Sequence, residues 1–190
     1  MIYSAIVGGI DKPRKDVKCF TGTGKFSDPR LAAKSYKMLP HLYLDCEWSI
    51  WIDGNIRLFV DEKQLIKMTR PADIGVFAHE ARDCVYEEGQ ACIEQNKDKP
   101  ETINEQLNYY KDVLKYPRHN GLGYCGVIVR RNTSEINRLC EQWWAHICRF
   151  SIRDQISFPV VFGSKVKYLP KVPMLKNPYF KRPKHSQTWK

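Results

Sequence analysis

Trp51-Ile52-Asp53-Gly54-Asn55 ends an apolar run on a carboxylate and adds an amide oxygen two residues later. Oxygen donors so placed can hold a hard divalent ion against phosphate oxygens. Asp53-Gly54, lying between Ser49-Ile50-Trp51-Ile52 and Ile56-Arg57-Leu58-Phe59-Val60, is equally the signal for a tight hairpin turn. The readings are compatible, because ligand loops sit at strand ends in α/β sheets. Upstream, Arg30, Lys34 and Lys37 are spaced to share one face of a helix opened by Asp28-Pro29. Like charges at that spacing repel, and cations in a first turn oppose the macrodipole, so an anion such as a diphosphate would relieve both. A solvated basic face accounts for the pattern as well.

A second group is His79, Arg82, Tyr86 and Glu87, in Phe77-Ala78-His79-Glu80-Ala81-Arg82-Asp83-Cys84-Val85-Tyr86-Glu87-Glu88. On one side of a helix near its start, such residues suit acceptor binding or general-base work; a surface ion-pair cluster is the plainer alternative. His79 has no second His or Cys at ligand spacing on its face, which excludes a zinc site built on it. Ser151-x2-Asp154 reads as a helix cap, with Asp154 the last acid in the chain. Gly121-Leu122-Gly123-Tyr124-Cys125-Gly126 matches neither a dinucleotide fingerprint nor a P-loop.

The elements that must position these residues alternate. Tyr3–Val7 reads as a strand running into Gly8-Gly9, followed by the Asp28 helix with Leu31, Met38 and Leu39 inward. Trp48–Ile52 and Ile74–Ala78 are further strands, with helical spacing of Ala81, Cys84, Val85, Cys92 and Ile93 after the second. A helix is expected around Leu107–Leu114 and a buried strand over Cys125–Val129. An Asn132-x2-Glu135 cap then precedes a helix with Ile136, Leu139, Cys140, Trp143 and Ile147 on its core face. Val160–Phe162 and Val166–Leu169 read as late strands. The order predicts an α/β domain with a mostly parallel central sheet. The expected division is 1–164 as the main domain and 165–190 as a basic, Pro-containing extension packing on or trailing from it.

With 190 residues and 43% hydrophobic composition, the chain can bury a core. No apolar run approaches the ~18 residues of a membrane span, and Ile2–Val7 is too short for a signal peptide. Seven cysteines without a Cys-x2-Cys pair read as buried thiols of a reducing compartment, so a cytoplasmic location is expected. The Asn132-Thr133-Ser134 sequon carries little weight beside that. Net charge is +10, and the eight Lys and Arg residues from Lys165 to Lys190 face no acid after Asp154. That tail could contact an anionic surface, but five prolines from Pro159 to Pro183 argue against a basic membrane helix. A nucleic-acid role has the tail in its favour and no binding motif, so no nucleic acid is expected.

Taken in order, several blocks resemble one family. They are Tyr3–Asp11, Arg30-Leu31-Ala32-Ala33-Lys34 with Leu39-Pro40-His41, Ile50–Ile56, His79-x2-Arg82-x-Cys84-x-Tyr86-Glu87-Glu88, and Arg153-Asp154-Gln155-x-Ser157-Phe158. The sequence resembles the glycosyltransferase-like domain family named after plant turgor-regulation and mucilage-synthesis proteins. More distantly it is similar to retaining GT-A glycosyltransferases, in which an Asp-x-Asp motif holds manganese and the donor diphosphate. The resemblance implies a GT-A-like fold, a nucleotide-sugar donor, a glycan or glycolipid acceptor, and a divalent ion, Mn2+ or Mg2+. By it, Asp53 is a metal ligand, with neutral Asn55 where a second carboxylate usually stands. Arg30 and Lys34 face the diphosphate; Gly8, Gly9 and Asp11 face the nucleoside. Asp154 and Gln155 border the acceptor and the anomeric carbon, and His185 is a late candidate ligand. An inverting route would need a carboxylate base, Asp154 or Glu87; a retaining route would not. A non-catalytic relative binding a nucleotide or glycan is the alternative.

Overall fold

The computed structural model describes residues 1–9 and 11–183. Its strands are Ile2–Ala5 (β1), Lys18–Phe20 (β2), Trp48–Ile52 (β3), Arg57–Leu58 (β4), Ile74–Ala78 (β5), Gly123–Arg131 (β6), Val166–Leu169 (β7) and Phe180–Lys181 (β8). Its helices are Pro29–Met38 (α1), Glu62–Thr69 (α2), Val85–Glu94 (α3), Pro100–Asn108 (α4), Ser134–Arg149 (α5) and Asp154–Phe162 (α6).

Among the described residues, a six-stranded sheet has the order β2-β1-β3-β6-β5-β7. β1 runs parallel to β2 and β3, and β5 parallel to β7, while β6 is antiparallel to both its neighbours. This is the mostly parallel α/β sheet expected. β3 is buried along its whole length, as a central strand covered on both faces must be. Trp51 points to one layer, with Trp143, Met38 and Phe158; Ile50 and Ile52 point to the other, with Leu65 and Phe180. Thus α1, α5 and α6 cover one face, and α2 with the C-terminal segment the other. α3 and α4 form a third cluster, joined through Ile156 to α6.

Several expectations are corrected. Asp53-Gly54 does make a turn, closed by the Ile56 amide on the Asp53 carbonyl at 2.8 Å, but not a hairpin. β3 is already flanked by β1 and β6, leaving no edge for the next strand; β4 pairs instead with β8. The helix expected from Ala81 starts at Val85, with Cys84 in the capping position. Val160–Phe162 lies inside α6, an apolar run being ambiguous between strand and buried helix. The helix expected at Leu107–Leu114 is the end of α4 and a π turn over Tyr109–Val113. Thr133 rather than Asn132 caps α5, its hydroxyl accepting from the Ile136 amide.

Residues beyond 164 supply β7 at the sheet edge and β8 in a two-stranded ribbon with β4. No helix among the described residues is long and apolar enough to cross a membrane.

Candidate active site

α1 starts as its sequence dictates: Pro29 occupies the first turn, and the Asp28 carboxylate accepts from the Arg30 amide at 2.7 Å. Lys34 and Lys37 therefore fall one turn apart on the side facing α6. Lys37 lies in the last turn, where the helix dipole favours a cation. At the other end of α1, Arg30 is exposed and pairs with Asp28 at 3.4 Å. The shared basic face thus divides: Arg30 turns to solvent while the two lysines turn inward.

Asp154 opens α6. The Trp143 indole N–H, from α5, reaches its carbonyl at 3.2 Å and the Ser157 hydroxyl at 3.1 Å, pinning the first turn of α6. The expected Ser151 capping arrangement is absent among the described bonds. Ser151 donates to Asp98 and accepts from the Arg153 amide, and Arg153 holds the N-cap position.

The pieces meet on one oxygen. Lys37 Nζ lies 2.6 Å and Lys34 Nζ 2.7 Å from Asp154 Oδ2. Lys37 Nζ also stands 3.2 Å from Asp53 Oδ1, which accepts the Trp51 indole N–H at 2.8 Å. The side chains of Lys37 and Asp154 are 5% and 6% exposed, whereas Asp53 reaches solvent at 38%. Ionised groups are tolerated at such depth only when paired. Gly54 lets the Asp53 turn approach β1, because a Cβ there would lie 2.9 Å from Ile6 Cγ1. Arg130, wholly buried in β6, donates to Tyr3 and, at 2.7 Å, to the Lys37 carbonyl, fixing the end of α1.

Burial alone would raise the Asp154 carboxyl, but Lys34, Lys37 and Arg153 outweigh it and hold it well below the carboxylate range. Burial lowers the Lys37 ammonium, and Asp154 with Asp53 more than reverses this. For Lys34, burial wins over the attraction of Asp154 and the pKa falls. Three cations (Lys34, Lys37, Arg153) thus meet two carboxylates (Asp53, Asp154), a surplus of one positive charge suited to an anionic ligand.

Arg153 links this cluster to a second. Its charge also acts on Cys92 and Glu88. Glu88, buried in α3, accepts from Arg82 Nε at 2.7 Å and lies 3.9 Å from His79 Nε2. His79 Nδ1 accepts the amides of Ala81 and Arg82, which leaves the ring proton of the neutral form on Nε2, toward Glu88. Tyr86 donates to the Tyr116 carbonyl at 2.7 Å. Glu87 is more exposed and stands with Arg118 and His119 rather than with Asp154. Gln155 follows Asp154, half-buried, in the first turn of α6. Gly8 and Gly9 are exposed at φ 83° and 73°, a left-handed turn beyond β1, with Asp11 half-buried after them. His185 lies outside the described residues.

Helical spacing placed Lys37 on the anion-binding face with Arg30 and Lys34, but the family resemblance gave it no role, and Glu88 and Arg153 went unremarked inside the blocks that carry that resemblance. As for a metal, both hydrogen bonds described for the Asp53 carboxylate fall on Oδ1, and Asn55 donates its Nδ2 to the Pro183 carbonyl at 2.7 Å. Asp53 Oδ2 and the Asn55 carbonyl oxygen remain as hard donors. They are too few by themselves for a divalent ion and fit one when diphosphate oxygens complete the set.

A family model described as TOD1/MUCI70, glycosyltransferase-like domain, matches residues 20–184. A curated relative from Arabidopsis thaliana, named probable hexosyltransferase MUCI70, is 30% identical over 147 residues, covering 72% of this chain and 25% of the relative. The chain therefore spans about a quarter of that relative's length. Solved structures similar to it include the bifunctional glycosyltransferase WbbM (TM-score 0.46, 16% identity, 82% of this chain and 28% of that one). Mouse xyloside xylosyltransferase 1 gives TM-score 0.45 and 13% identity, over 80% of this chain and 63% of that one. At such scores these likenesses add nothing to the family match.

Proposed function

The chain belongs to the TOD1/MUCI70 glycosyltransferase-like domain family, and from that premise we propose that it transfers a hexosyl or pentosyl group from a nucleotide-diphosphate donor to a glycan or glycolipid acceptor. The observation that carries this reading is the charged cluster of Lys34, Lys37, Arg153, Asp53 and Asp154, with its one surplus positive charge beside the Asp53-Gly54-Asn55 turn.

Departure of a nucleoside diphosphate builds negative charge on its phosphates, and preset cations lower that barrier. Lys34, the more exposed of the two lysines, is the cation for the diphosphate. Lys37 holds Asp53 and Asp154 in register. Gly8, Gly9 and Asp11 border the nucleoside. A divalent ion, manganese or magnesium, would be held by Asp53 and Asn55 together with the donor and would supply further charge neutralisation. His79, Arg82 and Tyr86 border the acceptor, tied to the donor side through Glu88 and Arg153.

Asp154 makes a poor general base. Two ammonium groups on one oxygen remove the basicity that proton abstraction requires. This favours a route in which Asp154 and Gln155 orient and stabilise rather than take a proton. Arg30, paired with Asp28 in solvent, has no role in this scheme. The basic residues after Lys165 provide for contact with an anionic surface, and a cytoplasmic location remains part of the proposal.

The test is titration with uridine and guanosine diphosphates, followed by a donor screen for sugar-nucleotide hydrolysis with and without manganese. Saturable binding weakened by Asp53→Ala is expected. Binding of nucleic acid alone, with steep salt dependence, would replace this reading.

A further inference from the structure

Outside the cluster just described, the start of α3 and the loop after Tyr116 bring together a thiol, a carboxylate and an imidazole. The ligand atoms of Cys84, Glu87 and His119 all lie within 4.8 Å of one another. We propose that these three side chains form a site for a borderline-soft divalent transition-metal ion of the zinc type, with Asp83 as its outer carboxylate.

The local structure explains the convergence. Cys84 occupies the capping position of α3 and Glu87 the third helical position. That is the spacing at which a capping side chain and a third-position acid point toward each other in a capping box. Here the Cys84 side chain makes none of the described capping hydrogen bonds. His119 arrives from a loop tied down by the Tyr86 hydroxyl on the Tyr116 carbonyl and by Asn120 Nδ2 on the Tyr116 hydroxyl. Its backbone is left-handed, φ 54°, a conformation that costs a non-glycine residue energy and is retained where side-chain placement matters.

The histidine is also correctly dressed. Its Nδ1 lies 2.7 Å from Asp83 Oδ1, while Nε2 is directed to Glu87 at 3.6 Å. A carboxylate on one ring nitrogen fixes the tautomer and raises the basicity of the other, the arrangement that metal-bound histidines usually carry. An imidazolium between two carboxylates would account for Asp83, His119 and Glu87 but makes no use of the Cys84 thiol that stands beside them. A thiolate, an imidazole and a carboxylate are a set that zinc accepts, with the fourth position open to water. Calcium, magnesium and manganese prefer oxygen donors throughout. The site therefore differs in chemistry from the oxygen donors of Asp53 and Asn55, and does not depend on the proposed transfer reaction. Bound metal would clamp the start of α3 to the loop that carries Tyr116, next to Tyr86.

The experiment uses the full chain, purified in chelator and then titrated with zinc, and separately with cobalt(II) as a coloured substitute. One equivalent is expected, with a cobalt–thiolate charge-transfer band. Cys84→Ser and His119→Ala should abolish the band, Asp83→Ala should weaken binding about 10–100-fold, and Asp53→Ala should leave zinc binding unchanged. Because Cys84 is buried, circular dichroism checks its variant. His119 is exposed, so His119→Ala provides the decisive test if Cys84→Ser misfolds. Stoichiometric zinc binding retained in folded His119→Ala, a cobalt complex without the thiolate band, or no stoichiometric binding would each overturn the proposal.

Discussion

Lys37 and Asp154 form a 2.6 Å ion pair between side chains that are both almost entirely out of solvent. Removing either leaves a buried charge with fewer partners: Asp154 keeps Lys34 and the charge of Arg153, while Lys37 keeps the more exposed Asp53. Asp154→Asn, which takes the shared carboxylate from two buried ammonium groups, is therefore expected to cost roughly 3–5 kcal/mol, and Lys37→Met less, because Lys34 stays on Asp154. Losses in the double variant should fall short of the sum, as for residues in contact. Urea unfolding measures all three. A loss under about 1 kcal/mol for Lys37→Met would remove the pair from its place as the site's support.

The pH dependence has a definite sign. Burial holds His79 below its ordinary 6.5, against the pull of Glu88, so the folded state binds fewer protons there than the unfolded chain. Its contribution is present above that value and lost as the pH falls. Asp154, held lower still, adds stability that is present above the unfolded value of about 3.9 and lost only in stronger acid. Lys37 acts oppositely: its contribution is full below about 10.4 and is lost as the pH rises through the higher folded value. Melting temperature should thus decline first below pH 6.5, where burial also holds His146 down, and His79→Gln should reduce that first step. A decline of unchanged shape in the variant would assign it elsewhere.

Part of this was legible in the sequence. Asp28-Pro29 fixed the start of α1, and the Ile136–Ile147 periodicity placed the core face of α5, because caps and amphipathic spacing are local. Asp53 and Asp154 were both singled out, yet the two lysines were matched to an external anion. Their first partner is a carboxylate distant in the chain, which α6 brings to the same face of the sheet and which helical spacing cannot reveal. Likewise Asp53-Gly54 marked a turn, but whether β4 could pair with β3 depended on the neighbours of β3. His119 and Asp83, 36 positions apart, meet only in the fold.

Asn55→Asp puts a second carboxylate beside Asp53 and removes the amide that donates to the Pro183 carbonyl. With uridine diphosphate present, manganese should bind more tightly, on the order of tenfold, since carboxylate count tunes affinity for hard cations. Water-proton relaxation by manganese reads this directly. Unchanged affinity would place the ion away from this turn.

Trp143 separates packing from hydrogen bonding at the head of α6. Trp143→Ala should cost about 3–5 kcal/mol from lost burial against Phe158 and Phe162. Trp143→Phe keeps much of that packing and forfeits the indole bonds to Asp154 and Ser157, a loss of about 1–3 kcal/mol. Thermal melts that rank Phe no better than Ala would show that the hydrogen bonds dominate.

The bond from Arg130 to the Lys37 carbonyl joins residues 93 positions apart in the chain. Contacts of such separation are slow to reward the loop closure they demand. In time, then, the charged cluster comes late: α1 can coil early, but its lysines reach their stations only after β6 has threaded between β3 and β5. Recovery of nucleotide binding after dilution from denaturant should lag behind recovery of helical signal.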